Sequence, residues 1–212
     1  MSASRPERRI EAGRFIRLEP LTEAHLPALW RALGRAEVFA GGFGGGPAGL
    51  PADEGAFGEW MLRRFPHREG NCYAVRLAAG PDAGSIVGTS SLAEFALERE
   101  HAHLGWTGYD PRVWGTAVNP ETKLLLLGLA FDHGFGRVRL QADAVNARSR
   151  AAIERLGATF EGITRRDVRR ADGSWRDTAV YSILVDEWPE VRSRLVARLE
   201  SAAAPALMPA EG

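Results

Sequence analysis

The sequence has 212 residues, of which 45% are hydrophobic, and its 27 basic and 27 acidic residues give a formal net charge of zero. This balance argues against a nucleic-acid-binding protein, which normally carries a basic excess. No apolar run is long enough to cross a bilayer and the charged start does not resemble a signal peptide, so we expect no membrane association. Cys72 is the single cysteine, which excludes an internal disulfide and a thiolate metal cluster and favours a cytoplasmic location.

The first half of the chain predicts a strand, two helices and three further strands. Polar and apolar residues alternate over 15–19, which indicates a strand, and apolar residues at helical spacing follow Thr22. The glycine-rich segment 41–49 contains Gly-x-Gly-x-x-Gly, but it follows a helix and holds a proline, so we expect a mobile loop and not a dinucleotide site. The remaining predicted elements are a helix over 53–64 and strands over 72–77, 86–92 and 102–109.

The segment 109–134 carries the strongest functional signal, because it predicts a strand end, a tight turn and a very apolar helix. Pro120 and Glu121 suit the first turn of that helix. In the preceding turn, Gly115 lets a ligand approach the backbone, and Arg112 adds positive charge near free backbone N–H groups. The turn therefore suits a phosphate or pyrophosphate, with a plain strand-to-helix connection as the simpler alternative.

The second half of the chain completes one mixed domain. We predict a strand over 138–145, a short helix over 146–156, strands over 159–168 and 178–185, and a final helix after Asp186. This order indicates a single α/β (α+β) domain, with a central twisted mixed sheet of about seven strands and helices on both faces.

The predicted domain extends over residues 13–201. The charged arm 1–12 and the alanine- and proline-rich tail 202–212 are expected to be flexible, because chain ends fray unless they are held by the domain.

Several motifs resemble those of the GNAT superfamily of acyl-CoA-dependent N-acyltransferases. The family signature Gln/Arg-x-x-Gly-x-Gly/Ala is matched by Arg112, Gly115 and Ala117. Further pieces resemble the branch of RimJ/RimL-type ribosomal-protein N-terminal acetyltransferases: Gly13 to Leu18, Gly105-Trp106, Asn146 to Gly162 and Asp177 to Ser182. Together these pieces extend over about residues 13–190 in the order that the family shows.

The resemblance implies an acetyl-CoA-dependent enzyme that transfers the acetyl group by direct attack of a primary amine in a ternary complex. No metal is implied, and the acceptor is either a protein N-terminus or a small-molecule amine. By position, Asn146 corresponds to a family asparagine that contacts the coenzyme, although an asparagine there is also a good helix N-cap. The positions that correspond to the pyrophosphate site, mostly through their backbone, are Arg112, Trp114, Gly115, Thr116 and Ala117.

The residue that would donate a proton or a hydrogen bond to the departing thiolate differs from the commonest family pattern. Many members use a tyrosine seven residues after the asparagine, where this chain has Ile153. In the RimJ/RimL branch a serine is the substitute, and Ser149 stands at that position. A hydroxyl is a weak acid, so we expect Ser149 to hydrogen-bond the developing thiolate; the alternative is an ordinary serine at a helix start.

His103 is the candidate base, because it stands where the branch usually has a glutamate and because histidine accepts protons near neutral pH. Asp167 and Asp177 are secondary candidates, which could instead bind a cationic acceptor. His101 and His103 could also form a metal pair, but no further ligands lie near them in the sequence.

The acceptor groove is expected to be bordered by the loop 41–49 and the turn 169–173, whose mixed composition does not select one amine. Two other functions stay open at this stage. The missing tyrosine and the replaced glutamate allow a module that binds or senses acyl-CoA without turnover, and a structural homodimer without cofactor is a third possibility. Cys72 lies in an apolar strand, so we expect it to be a core residue and not a nucleophile.

Overall fold

The computed structural model describes residues 2–208 and contains, over these residues, an open eight-stranded mixed sheet. The strand order is β1-β2-β3-β4-β5-β6-β8-β7, and β5 and β6 are the parallel neighbours in an otherwise antiparallel sheet. The strands are β1 (Glu11–Ala12), β2 (Ile16–Pro20), β3 (Asn71–Leu77), β4 (Ile86–Ala96), β5 (His101–Tyr109), β6 (Arg137–Asp143), β7 (Thr159–Arg169) and β8 (Trp175–Leu184).

Helices cover both faces of the sheet, as predicted. They are α1 (Leu26–Leu33), α2 (Ala36–Ala40), α3 (Glu54–Arg64), α4 (Val118–Asp132), α5 (Ala147–Glu154) and α6 (Trp188–Glu200). On one face, α4 and α6 pack with the sheet in a large apolar cluster that includes Leu126, Leu127 and Leu195. On the other face, α1 and α3 form a second cluster around Phe57 and Met61. The predicted fold class is therefore confirmed.

The main differences from the sequence prediction concern short or extended elements. The sheet has one more strand than expected, because the two residues of β1 are too few to show an alternation. Helix α2 was not predicted, and it extends over only 36–40. Strand β6 ends at Asp143, before the last residues of the predicted strand, whereas β4 continues beyond its predicted end to Ala96.

Both ends of the described chain contact the domain. The backbone N–H of Ser4 donates to His133 (2.9 Å), and the side chain of Asn71 donates to the carbonyl of Pro6 (2.9 Å). Near the other end, the backbone N–H of Leu207 donates to Asp82 (2.8 Å). Met1 and residues 209–212, which belong to the predicted arm and tail, lie outside the described residues.

A buried carboxylate holds the start of α4 against β2. Glu121 accepts backbone N–H groups from Arg14 (2.8 Å), Phe15 (2.7 Å) and Ile16 (2.7 Å). The sequence suggested that Glu121 complements the positive helix end, whereas the structure gives it three direct donors. Because α4 begins directly after the glycine turn, these bonds also fix the position of that turn. Over residues 2–208, no helix combines the length and apolar character needed to span a membrane.

Candidate active site

A cavity of about 520 Å³ opens where β5 and β6 separate. The two strands pair only from His101 to His103, opposite Arg137 to Arg139, and diverge beyond that point. A bulge in β5 accompanies the separation. Ser91 pairs with Gly105 and Thr89 with Gly108, so two residues of β5 lie opposite one of β4. The open seam gives a ligand access to the middle of the sheet.

The turn between β5 and α4 lies at this cavity and is built around Gly115. Its φ is +79°, and a Cβ atom there would meet no atom within 4 Å, so the backbone faces open space. The N–H groups of Trp114 and Thr116 donate within the turn, to Pro111 (3.1 Å) and Val113 (3.3 Å). Those of Gly115 and Ala117 have no acceptor among residues 2–208. Of these two groups, the N–H of Gly115 lies at the cavity and is available to an anion.

Two members of the predicted pyrophosphate site do not line the cavity. The guanidinium of Arg112 donates to the buried carboxylate of Asp110 at 2.7 Å, so its charge is already paired. Ala117 is buried directly before α4. Trp114, Gly115 and Thr116 do line the cavity.

Arg148 is a positive side chain at the cavity that the motif did not identify. Its guanidinium carbon lies 3.4 Å from the centroid of the Trp114 ring, in a cation–π arrangement. Burial lowers the pKa of Arg148 below its ordinary value. Because Trp114 adjoins Gly115, Arg148 supplies positive charge beside the turn, the part that the sequence had given to Arg112.

Asn146 is the N-cap of α5, which is the alternative role that the sequence allowed for it. Its side-chain oxygen accepts the N–H of Ser149 at 3.0 Å and so caps α5, and its amide nitrogen donates to the carbonyl of Gly41. Asn146 and Ser149 both line the cavity. Ile153 also lines it, at the position where a tyrosine would stand.

His103 is buried, with 3% of its surface exposed, and lines the cavity. Its Nδ1 lies 3.3 Å from the carboxylate of Glu94 and 3.4 Å from the guanidinium of Arg139. Its Nε2 is buried without a hydrogen-bond partner among the described residues, and its ring lies 5.1 Å from that of Trp106. Burial lowers the pKa of His103 and outweighs the opposing effect of Glu94. Glu94 was missed because an irregularity in β4 brings it beside His103.

The other candidate bases lie elsewhere. Asp167 and Asp177 do not line the cavity, and the carboxylate of Asp177 accepts the backbone N–H of Arg166 at 2.8 Å. Cys72 is a buried free thiol in the apolar cluster of α1 and α3, and burial raises its pKa. Over residues 2–208, no group of three histidine, cysteine or acidic side chains is arranged to hold a metal, so His101 and His103 gain no third ligand of these types.

Lys123 is another buried titratable group of the cavity, and no motif indicated it. It lies on α4 with 5% of its surface exposed. Its Nζ donates to the hydroxyl of Thr107 at 2.8 Å and lies 3.4 Å from the hydroxyl of Ser90. Burial lowers the pKa of Lys123 to about 7. In the sequence, this lysine only interrupts the apolar surface of a leucine-rich helix. Its place at the cavity becomes evident only in the folded structure.

The two segments expected to border the acceptor groove contact each other. The N–H of Ala171 in the turn between β7 and β8 donates to the carbonyl of Gly45 at 3.2 Å. In the same turn, Arg170 pairs with Asp143 at 2.7 Å. Gly41 and Asp143 line the cavity, so the contacting segments lie at its border.

The cavity thus combines the separated seam of an open mixed sheet, a glycine turn and the buried titratable side chains of His103 and Lys123. Among family models, the acetyltransferase (GNAT) domain model matches residues 16–159. The chain belongs to the GNAT acetyltransferase family, and the predicted family is confirmed. Among curated proteins, none matches the sequence.

Solved structures show the same fold. A GCN5-related N-acetyltransferase from Brucella melitensis is 28% identical, with a TM-score of 0.83 over 93% of this chain and 88% of that one. A protein from T. thermophilus that is described as an acetyltransferase is 35% identical, with a TM-score of 0.78 over 90% and 96%. Mycobacterium smegmatis RimJ, solved with CoA-disulfide, is 19% identical, with a TM-score of 0.69 over 90% and 91%. At that identity the likeness to RimJ concerns the fold alone.

Proposed function

We propose that this acetyltransferase uses acetyl-CoA to acetylate a primary amine by direct attack in a ternary complex. The observation that carries the proposal is the cavity at the seam of β5 and β6, which joins an anion-suited turn to a buried, unpartnered histidine nitrogen. Such a cavity lets a thioester and an amine meet inside the sheet, away from bulk water.

The turn fits the pyrophosphate of the coenzyme. The N–H group of Gly115 would donate to it, the space at Gly115 allows close approach, and Arg148 adds charge. Asn146 holds the start of α5 at the cavity and so positions Arg148 and Ser149. When bound, acetyl-CoA supplies an activated acetyl thioester.

His103 is proposed as the base that removes a proton from the attacking amine. The Glu94 carboxylate beside Nδ1 favours the tautomer with the proton on Nδ1, which leaves the Nε2 lone pair free in the cavity. The lowered pKa keeps the ring neutral at neutral pH and therefore able to accept a proton. Ser149 lines the same cavity and would donate a hydrogen bond to the departing sulfur.

The acceptor is proposed to be a protein N-terminus or a small-molecule amine that enters beside the loop 41–49 and the turn 169–173. A cytoplasmic location and a possible homodimer remain part of the proposal. The turn 109–117 and β5 carry the chemistry in either case, so the identity of the amine does not alter the roles proposed above.

Isothermal titration with acetyl-CoA tests the cofactor site. We expect binding by the parent protein and none by Gly115→Glu, because glutamate would fill the space at the turn and repel phosphate. Gly84→Glu is the matched control: Gly84 also has a positive φ (+96°) and open space around its Cβ position, but it lies outside the cavity. The absence of binding by a folded parent protein would refute the proposal.

Thiol release with a panel of amines then separates an enzyme from an acyl-CoA sensor. A sensor binds acetyl-CoA without releasing thiol, whereas an enzyme releases thiol in step with amine acetylation. For the enzyme, His103→Ala should lower kcat by about 10²-fold or more and remove the acidic limb of the pH–rate profile. His101→Ala, two residues away on β5 and outside the cavity, should retain both. An unchanged rate and profile in His103→Ala would exclude His103 as the base.

A further inference from the structure

The chain contains a single lysine, and that lysine is in the cavity. Of its 27 lysine and arginine residues, 26 are arginine and only Lys123 is lysine. Arginine stays protonated at every physiological pH, whereas a buried lysine can lose and regain its proton. Among the lysine and arginine side chains, the one that suits proton exchange thus lies at the site of the proposed reaction.

The surroundings of Lys123 do not neutralise its charge. Thr107 and Ser90 are uncharged partners whose hydroxyls also lie 2.8 Å from each other. No carboxylate among residues 2–208 forms an ion pair with Lys123, and burial is the cause of its lowered pKa. An ammonium has three N–H donors, of which these two hydroxyls can accept at most two. A buried ammonium with a spare donor favours a ligand that becomes negative.

Lys123 and His103 approach the bulge of β5 from opposite faces of the sheet. Lys123 extends from α4, on the face where Leu104 packs with α4. His103 lies against Trp106, whose indole N–H donates to the carbonyl of Arg64 at the end of α3, on the other face (3.2 Å). The cavity therefore has one proton-exchanging group on each face.

We propose that Lys123 is the catalytic acid that protonates the thiolate sulfur as it leaves, an inference that rests on the proposed acetyl transfer. The amine lone pair forms the new C–N bond, and the electron pair of the breaking C–S bond goes to sulfur. His103 takes one proton from the amine nitrogen, and the Lys123 ammonium gives one proton to sulfur. The products are amide and thiol, and proton exchange with solvent restores both residues.

Other side chains at the cavity are less suited to this step. Ile153 has no proton to give, and the hydroxyl of Ser149 can donate a hydrogen bond but is a weak acid. Burial raises the pKa of Tyr109, which makes its phenol a poorer acid than usual. Because the pKa of Lys123 is about 7, its protonated and neutral forms are both populated near neutral pH, which suits a group that gives up and regains a proton.

The kinetic test compares Lys123→Met, Lys123→Arg and Thr122→Val. We expect Lys123→Met to lower kcat by about 10²-fold or more with little change in the KM for acetyl-CoA. Lys123→Arg keeps the charge but cannot release a proton, so it should not restore the rate. Thr122→Val removes a neighbouring buried hydroxyl of α4, which bonds to Val118, and should remain active. Full activity in Lys123→Arg would overturn proton transfer.

Two readouts do not depend on turnover. Protein labelled with ¹³C and ¹⁵N in lysine gives one side-chain signal, because the chain has one lysine, and its titration reports the pKa of Lys123 directly. The ultraviolet absorbance of the thiolate reports the pKa of the thiol of bound CoA. We expect this thiol pKa to lie below that of free CoA in the parent protein and to rise in Lys123→Met, since the ammonium stabilises the thiolate.

The outcomes separate this inference from the proposed function. A parent protein that binds no acetyl-CoA refutes both. A parent protein that acetylates amines, with an unchanged kcat and an unchanged thiol pKa in Lys123→Met, refutes only the role of Lys123. Loss of rate together with a raised thiol pKa in Lys123→Met supports the role of Lys123 as the acid.

Discussion

Helix α4 buries two charged residues two positions apart, and their surroundings differ in an instructive way. Glu121 is 4% exposed and accepts three backbone N–H groups from Arg14, Phe15 and Ile16. Lys123 is 5% exposed and has two hydroxyl partners and no counter-ion among the described residues. A buried charge whose bonds are all supplied by the protein stabilises the fold. One that is left short of partners costs stability, which agrees with the proposal that Lys123 serves the reaction and not the fold.

The largest stability effect is expected for Glu121→Ala, which would leave three N–H groups without their acceptor. We expect a loss of about 3–5 kcal/mol in the free energy of unfolding, the cost of removing one side of a buried, charge-assisted network. Chemical denaturation of the variant measures it. Glu54→Ala, which removes an acid from the exposed first turn of α3, serves as the control and should change stability by less than about 0.5 kcal/mol. A small loss in Glu121→Ala would contradict the structural role.

Lys123→Met should raise the free energy of unfolding, whereas Glu121→Ala should lower it. Replacing an unpaired buried ammonium by an apolar side chain of similar length should stabilise the fold by about 1–4 kcal/mol near pH 7. The Ser90 and Thr107 hydroxyls still bond each other in this variant. A parent protein that is more stable than Lys123→Met at pH 7 would indicate that the lysine serves the fold, and the comparison with Glu121 would fail.

The pH dependence of that gain provides a second check. The pKa of Lys123 is about 7 in the folded protein and about 10.4 in the unfolded chain. Between these pH values the unfolded state holds more protons, so the stability of the parent protein rises with pH. The advantage of Lys123→Met should therefore shrink from pH 7 to pH 10, as measured by denaturation at several pH values. A constant difference would mean that Lys123 keeps its ordinary pKa.

Sequence motifs predicted those parts of the candidate site whose residues lie close together along the chain. The turn around Gly115 and the cap at Asn146 are local motifs, and His103 was predicted from its position on the strand that precedes the signature. Glu94 and Arg148 could not be found in this way. Their meeting with His103 and Trp114 depends on strand irregularities and on the packing of α5.

Arg112 and Lys123 illustrate the same dependence on the folded structure. Arg112 was given to the ligand because its charge is next to the turn, but Asp110, two residues earlier, takes that charge. Lys123 had one available signal, its status as the single lysine among many arginines, which periodicity alone does not detect. The fold class was predictable because apolar patterning sets the layers of the domain, whereas β1 was too short to produce a pattern.

The smallest effect concerns Gly13, which lies against the carboxylate of Glu121. A Cβ atom at Gly13 would lie 2.4 Å from the Glu121 carboxyl carbon, which its three hydrogen bonds prevent from moving freely. We expect Gly13→Ala to cost about 1–3 kcal/mol, the usual cost of overpacking. In the background of Glu121→Ala the obstructing group is absent, so the same substitution should cost much less. A double-mutant cycle measures this coupling, and additive losses would show that the carboxylate does not occupy the space beside Gly13.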